Sequence, residues 1–505
     1  MAHRQKISYT GPAMTETNHP DQPTSNNVPT DDAMPTSSTI PTISECLELA
    51  SDTRAMALGL DALSQLPELI RSHFGNGTTL PAPDGTMPSP GGAFLVADGN
   101  TLEAAGLKVQ EILQAAGITV VGSHVYPAEP RLHADYAQAK ALGVLLRSQN
   151  PQPGVVISIG AGTVNDLVKR GTHEAGLPYL CVATAASVDG YTSAGSALLD
   201  RGFKRTFACP APRVVVADSA VLAAAPAYLA SSGFGDLAGK VIAGTDWLIA
   251  EAAGAVGAPG TEPIDAKAWA MTQTGLEAAL VASEGAHRGD GPSLETLFEA
   301  LALTGFAMQY TRSSRPVSGC EHLFSHVWEM ADLSVDGVPV THGHKVAIGT
   351  LCAAAFTELL FRSKEPPRVI PQARPTKAAR EAEVREAFRN RPALEETVAT
   401  ALEKLMPPEA HARMAEALCD QWSQLRATVL SRLPPYDELR DQLARAGCPV
   451  CAEDIGLTRE DAIGTARLAQ MIRNRYTVLD LGWDLGAFDG VLEAMEADYR
   501  YLSRG

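Results

Sequence analysis

The chain has no run of about 18 apolar residues, and its start, MAHRQKISYT, is not a charged segment followed by an apolar core. Neither membrane spanning nor secretion is expected. Bases are outnumbered: 41 Lys and Arg face 58 Asp and Glu, a formal net charge of −17. A surface of that sign repels nucleic acid and anionic membrane, which excludes a general affinity for either. An anionic substrate then requires a local basic pocket. Cysteine is sparse and scattered, eight in 505 residues, and only Cys448 and Cys451 stand close together, as CPVC. With no second pair at similar spacing there is no zinc knuckle, and ordinary thiols suit a reducing, cytoplasmic setting. HExxH is also missing, which argues against a zinc protease. No internal repeat is visible.

What is present divides into three textures. Residues 1–40 are rich in Thr, Pro, Asn, Ser and Asp and hold hardly any large apolar side chain, so they read as a disordered tail. A Gly- and Pro-rich break runs from Gly75 to Gly91. Then AFLVADGNT, ITVVGSHVY, GVVISIG, LPYLCVAT and PRVVVADS alternate with helical stretches such as LEAAGLKVQEILQAAG and 134–149. That alternation predicts an α/β domain with a parallel sheet over residues 45–220. From 221 to 500 long Ala/Leu-rich stretches with helical periodicity predict an all-α C-terminal domain. A basic, Pro-rich loop is expected over Ser363–Thr376, followed by one amphipathic, solvated helix in EAEVREAFRNRPALEETVATALEKL.

VVISIGAGTVNDLVKR is a strand that enters Gly160-Ala161-Gly162-Thr163 and then a helix. Glycines admit a phosphate close to the backbone, and the helix N-terminus offers free N–H groups. The loop matches neither GxGxxG nor a Walker A pattern, so it fits a dinucleotide cradle and a tight strand-to-helix turn equally well. Asp98, at the end of an earlier strand, suits an adenosine ribose or a plain turn before glycine. VATAASVDGYTSAGSALLD ends a strand in small hydroxyl residues, with Thr184 and Ser187 placed for a pyrophosphate or nicotinamide and Asp189 as the one early carboxylate. A polar loop is the plain alternative.

In SGCEHLFSHVWEM, His322 and His326 share one helical face. Taken alone, such a pair is more often a satisfied surface or core feature than a ligand pair. Asp236 in SSGFGDLAGK and His342 in THGHKVAIG change the balance. Asp, His and His leave one position open, as catalytic zinc commonly does. His344 and His287 are expected to face solvent.

Taken in order, ISIGAGTVNDLVK, TAASVDGYTSAGSAL, SGFGDLAGK, SSRPVSGCEHLFSH and HGHKVAIGT resemble sn-glycerol-1-phosphate dehydrogenases, especially the bacterial arabinose-operon type. Their superfamily includes glycerol dehydrogenases, iron-containing alcohol dehydrogenases and dehydroquinate synthases. The likeness spans roughly residues 45–485, including RNRYTVLDLGWDLG. It implies Asp236, His322 and His342 as metal ligands, with zinc or nickel as the ion, and His326 and Asp189 at the reaction centre. The cofactor set it implies, for NAD or NADP, is Asp98, Gly160, Gly162, Thr163, Asp166, Thr184 and Ser187. Lys204, Arg315 and Lys345 become candidates for a substrate phosphate, and a homodimer is expected. Two departures separate the branches. Lys240 stands where iron alcohol dehydrogenases place a histidine ligand, and Asp236 stands where a dehydroquinate synthase is expected to carry glutamate. Ala161 replaces a more usual glycine. The implied reaction is reversible reduction of dihydroxyacetone phosphate to sn-glycerol 1-phosphate. The alternatives are a cyclising lyase of the dehydroquinate synthase type and a dehydrogenase of another polyol.

Overall fold

A computed structural model describes residues 39–74, 91–201, 203–367, 375–391 and 394–504, without the side chains of residues 203 and 204. The tail expected over residues 1–40 lies outside the described residues but for its last two, as does the polar break except for Gly91.

Among the described residues, eight strands form the α/β part: β1 (Ala55–Gly59), β2 (Ala93–Asp98), β3 (Val120–Tyr126), β4 (Val155–Gly160), β5 (Tyr179–Ala183), β6 (Ser196–Asp200), β7 (Phe203–Phe207) and β8 (Val214–Asp218). Six of them make one parallel sheet in the order β1-β8-β5-β4-β2-β3, while β6 and β7 pair separately as an antiparallel hairpin. The apolar runs have a direct cause: β4, β5 and β8 are buried along their whole length, as parallel strands covered on both faces must be. β3, at an edge, alternates and is partly exposed. Sequence reading passed over β1, whose AMALG is short and poor in β-branched residues but pairs in parallel with β8.

Connections fix where a ligand would sit. From β2 the chain moves outward to β3, and from β4 it moves the other way to β5 and β8. Strand order therefore reverses between β2 and β4, and the crevice beyond their carboxyl ends is the preferred ligand position in such sheets. Asp98 closes β2 and Gly160 closes β4.

The chain divides into two compact units. The first comprises Pro41–Gly233 and Ala278–Arg312, and the second Phe234–Glu277 with the chain from Ser313 onward. The division differs from the expected boundary at 220/221 in that the helix Gly291–Thr311 groups with the first unit. There it packs on the helices Ile43–Leu49 and Ser219–Ala224. Gln309, near its end, accepts from the N–H groups of Asp52 and Thr53, and Thr192 Oγ1 donates to Ala302 O at 2.8 Å.

Among the described residues of the second unit, the regular structure is helical apart from the two-residue strands Ser334–Val335 and Val338–Pro339. The single amphipathic helix expected after residue 380 is two, Lys377–Ala387 and Leu394–Glu403. Pro392 between them disfavours helix in the residue before it.

Candidate active site

In the first unit β4 passes through Gly160 and an extended Ala161 into the helix Gly162–Ala175. Ala161 occupies the N-cap without a capping side chain, so no side chain takes the first N–H groups of that helix. A Cβ on Gly160 would come 2.5 Å from Val164 Cβ, and one on Gly162 would meet Val188 Cγ1 at 3.0 Å. Close space, free donors and the positive end of the helix dipole fit a pyrophosphate. Asp98 realises the turn reading: its Oδ1 accepts from Thr101 N–H at 2.8 Å and caps the turn Gly99–Thr101. Asp166 lies on the same helix as Gly162 and Thr163, with its carboxylate 3.8 Å from Lys169 Nζ. Thr184 and Ser187 are buried after β5, and Ser187 Oγ is 3.3 Å from Tyr191 OH. Asp189 is buried at the start of a short helical turn, Asp189–Tyr191.

Sequence reasoning missed what holds that loop. Lys169 is buried and donates to the carbonyls of Gly190, Ser193 and Gly195 at 2.9, 2.8 and 3.1 Å. Asn165, four residues earlier on the same face, adds Nδ2 to Gly190 O at 3.2 Å. The available signal was two polar residues at i and i+4 within a buried helix face.

In the second unit three helices meet through glycines. A Cβ on Gly235 would lie 2.3 Å from Gly343 O, and one on Gly349 would lie 2.4 Å from Glu321 O. This close approach brings together Asp236 on Ala227–Ala255, His322 on Cys320–Met330 and His342 at the start of His342–Leu360. Their ligand atoms all lie within 4.8 Å of one another. Each histidine is oriented from behind by a carboxylate. His322 Nδ1–H donates to Glu321 Oε1 at 2.6 Å, and His342 Nδ1–H donates to Glu329 Oε1 at 2.7 Å. A carboxylate only accepts, so both Nδ1 atoms carry the proton and Nε2 is left as the basic atom. His322 Nε2 is 3.5 Å from Asp236 Oδ1. Carboxylate–histidine pairs of this kind are the usual outer support of a metal site.

The electrostatics agree. Burial disfavours a charged His322, but its hydrogen bonds with Asp236 and Glu321 carry it up to about 9. Burial likewise opposes ionisation of Asp236, and the Lys240 ammonium, 2.8 Å away, with His322 holds it well below the usual carboxylate range. The donor set, one carboxylate and two imidazoles with their Nε2 atoms available, fits a divalent ion.

The other expected residues are placed as follows. His326 is half-buried with its ring centroid 6.3 Å from that of His322. Lys345 is buried with Nζ 3.8 Å from Glu329 Oε1. Arg315 is 1% exposed and donates Nη1 to Tyr476 O at 2.8 Å and Nη2 to Asp246 O at 2.5 Å. Both terminal nitrogens tie main chain together inside the helical unit. The side chain of Lys204, on β7, lies outside the described residues. His344 and His287 are half-buried rather than solvent-facing, and burial pushes His344 down to about 4. All eight cysteines are free. Among the described residues no helix is long and apolar enough to cross a membrane.

Residues 86–226 match the family model described as iron-containing alcohol dehydrogenase. The chain is 30% identical over 387 residues to a protein of Bacillus velezensis named glycerol-1-phosphate dehydrogenase [NAD(P)+], covering 77% of this chain and 84% of that one. A Halalkalibacterium halodurans protein of the same name is 33% identical over 309 residues, covering 61% and 72%. Among solved structures, a probable glycerol dehydrogenase from Sinorhizobium meliloti 1021 shares the fold, with a TM-score of 0.53, 15% identity and coverage of 88% and 97%. Identity over most of both sequences, on a fold that carries a parallel sheet and an Asp/His/His centre, places the chain in the glycerol-1-phosphate dehydrogenase family.

Proposed function

We propose that the chain interconverts dihydroxyacetone phosphate and sn-glycerol 1-phosphate with NAD(P)H as hydride source, the activity named for its relatives. The observation that carries this reading is the pair of histidines whose Nδ1 protons are held by Glu321 and Glu329 beside Asp236. Cofactor binding is assigned to the first unit and the metal to the second. A divalent ion bound by Asp236, His322 and His342, with zinc or nickel suited to this donor set, would polarise the C2 carbonyl and stabilise the negative charge developing on its oxygen.

The chain's own groups supply the rest. Gly160, Gly162 and the N–H groups from Gly162 onward bind the pyrophosphate, with Thr163, Asp166, Thr184 and Ser187 around it and Asp98 on the ribose side. Glu321 and Glu329 keep the imidazoles in one tautomer and orientation. His326, one turn from His322, is assigned the proton exchange with the substrate oxygen, and Asp189 the orientation of substrate against the nicotinamide. Lys345 and Lys204 are retained as phosphate candidates. A cytoplasmic homodimer is the assembly we assign, in keeping with eight free thiols and with the commonest closed symmetry.

The test is NADH oxidation with dihydroxyacetone phosphate by purified protein, before and after chelation and after adding back zinc or nickel. Net NADH consumption that disappears on chelation and returns with metal is expected. A cyclising lyase regenerates its cofactor and would consume none, and that result would overturn the assignment.

A further inference from the structure

We propose that Asp246 is a positioning residue for the metal-binding His322, acting through Cys320 and Glu321. The inference rests on the reading of Asp236, His322 and His342 as a cation site. Asp246 lies on the same helix as Asp236, about three turns further on, and is 1% exposed. Both of its carboxylate oxygens are used: Oδ2 accepts from Cys320 N–H at 2.7 Å and Oδ1 from Val478 N–H at 2.7 Å. Cys320 and Val478 are the first residues of the helices Cys320–Met330 and Val478–Asp484. One carboxylate therefore takes a donor from each of two helix N-termini.

The N-cap of the His322 helix is Gly319, which has no side chain to do this itself. A Cβ there would lie 2.6 Å from Asp246 Oδ2 and 2.6 Å from Glu321 Oε2, so the two carboxylates face each other across the space that glycine leaves. Glu321 Oε2 is buried without a hydrogen-bond partner, whereas Oε1 takes Gly319 N–H at 2.8 Å and His322 Nδ1–H at 2.6 Å. Asp246 thus fixes the first turn of the helix that carries Glu321 and His322, and Oε1 of Glu321, tied to Gly319 N–H in that turn, is the oxygen that holds the imidazole. The flanking chain is tied as well, by Arg315 to Asp246 O and by Arg475 Nη1 to Ser318 O at 2.7 Å.

A cap that merely joins two helices would predict something different, and zinc affinity separates the two. Asp246→Asn keeps the volume but offers one acceptor for two N–H groups. The expected result is zinc binding weakened by about 10–100-fold in competition with a chromogenic chelator, with kcat lowered at saturating zinc and KM for NADH unchanged. Glu321→Gln should weaken zinc by a similar factor, and the double variant should be no weaker than the worse single one, because both act on one imidazole. Additive losses, or a lower Tm with wild-type zinc affinity and kcat, would overturn the proposal. If Asp246→Asn does not fold, Cys320→Pro serves instead. Proline is tolerated at the first helical position, removes that N–H together with the thiol, and leaves the Val478 bond in place; Cys320→Ala, which keeps the N–H, is the control for the lost thiol. Zinc affinity equal to wild type in a folded Cys320→Pro protein would sink the idea. A wild-type protein that binds no zinc, or binds it undiminished after His322→Ala, would bring down the metal-site reading itself.

Discussion

Lys169→Met is the perturbation whose consequence follows most directly from the structure. The ammonium donates to three main-chain carbonyls in the loop Gly190–Gly195 and lies 3.8 Å from Asp166. Methionine fills the volume but donates nothing. Gly190 O keeps Asn165 Nδ2 at 3.2 Å, while the carbonyls of Ser193 and Gly195 lose their lysine. Each buried acceptor left unsatisfied costs about 1–3 kcal/mol, offset in part because a buried charge is removed with the lysine. A net loss of about 2–4 kcal/mol in the local opening free energy corresponds to roughly 30–700-fold faster exchange. Amide hydrogen exchange resolved to peptides over residues 189–195 is the assay, and KM for NADH should rise in parallel. Zinc affinity, which belongs to the second unit, should stay at the wild-type value. Unchanged protection of the loop, or equal acceleration in every peptide of the chain, would refute the argument, since the first denies the clamp and the second makes it a global effect.

Glu329→Gln should weaken zinc by about 10–100-fold in a chelator competition while leaving Tm of the metal-free protein within a few degrees, because the charge behind His342 is lost and its hydrogen bond is not. Gly235→Ala puts a methyl 2.3 Å from Gly343 O, a main-chain atom that cannot rotate away, so zinc stoichiometry and Tm should both fall. In contrast Gly464→Ala, in the helix Arg459–Ala469 with nothing within 4 Å of its Cβ, should raise stability by about 0.4–1 kcal/mol in thermal unfolding. Arg315→Ala should lower Tm without a selective rise in KM for dihydroxyacetone phosphate; a KM effect alone would restore the phosphate role. Burial and then the charge of Arg213 hold His73 below its ordinary value, so the unfolded chain binds a proton that the folded one resists. Its contribution is present above the ordinary histidine range and is lost as pH falls through the folded value, and His73→Gln should flatten that limb of Tm against pH.

The parallel sheet was legible because strands covered on both faces must be apolar throughout, and VVISIG or PRVVVADS has no other economical reading. β1 was not, since AMALG has its place only through pairing with β8, whose partner residues stand 159 positions away in sequence (Ala55 with Val214). Asp236, His322 and His342 were legible as donor types beside glycines and through family resemblance. Glu329 was not legible before His342 had been placed: seven residues after His322 on one helix, it looks like an ordinary acid until the His342 ring is set against it. The helix Gly291–Thr311 has the same Ala/Leu texture as its neighbours, and composition says nothing about which unit such a helix joins.

Arg315 and Lys169 carry a more general consequence. Sequence reasoning sought cations for an anionic substrate near the motifs, and the nearest arginine proved to hold main-chain carbonyls, as did a lysine that attracted no notice. Lys169, and Arg315 at Tyr476 O, follow from one constraint, whereas Arg315's second acceptor, Asp246 O, lies within the helix Ala227–Ala255. Loops rich in Gly, Ser and Pro, which close approach to a phosphate or a metal demands, leave carbonyls without partners in helix or strand, and those carbonyls must find donors when buried. A long cationic side chain supplies several donors from one position. Buried cations beside site motifs are therefore required by the loops before any substrate is considered, and only a cation left over after the carbonyls are satisfied is available to a phosphate. By that criterion Arg315 and Arg475, which donates to Ser318 O and Ser314 Oγ, are already committed to holding the chain.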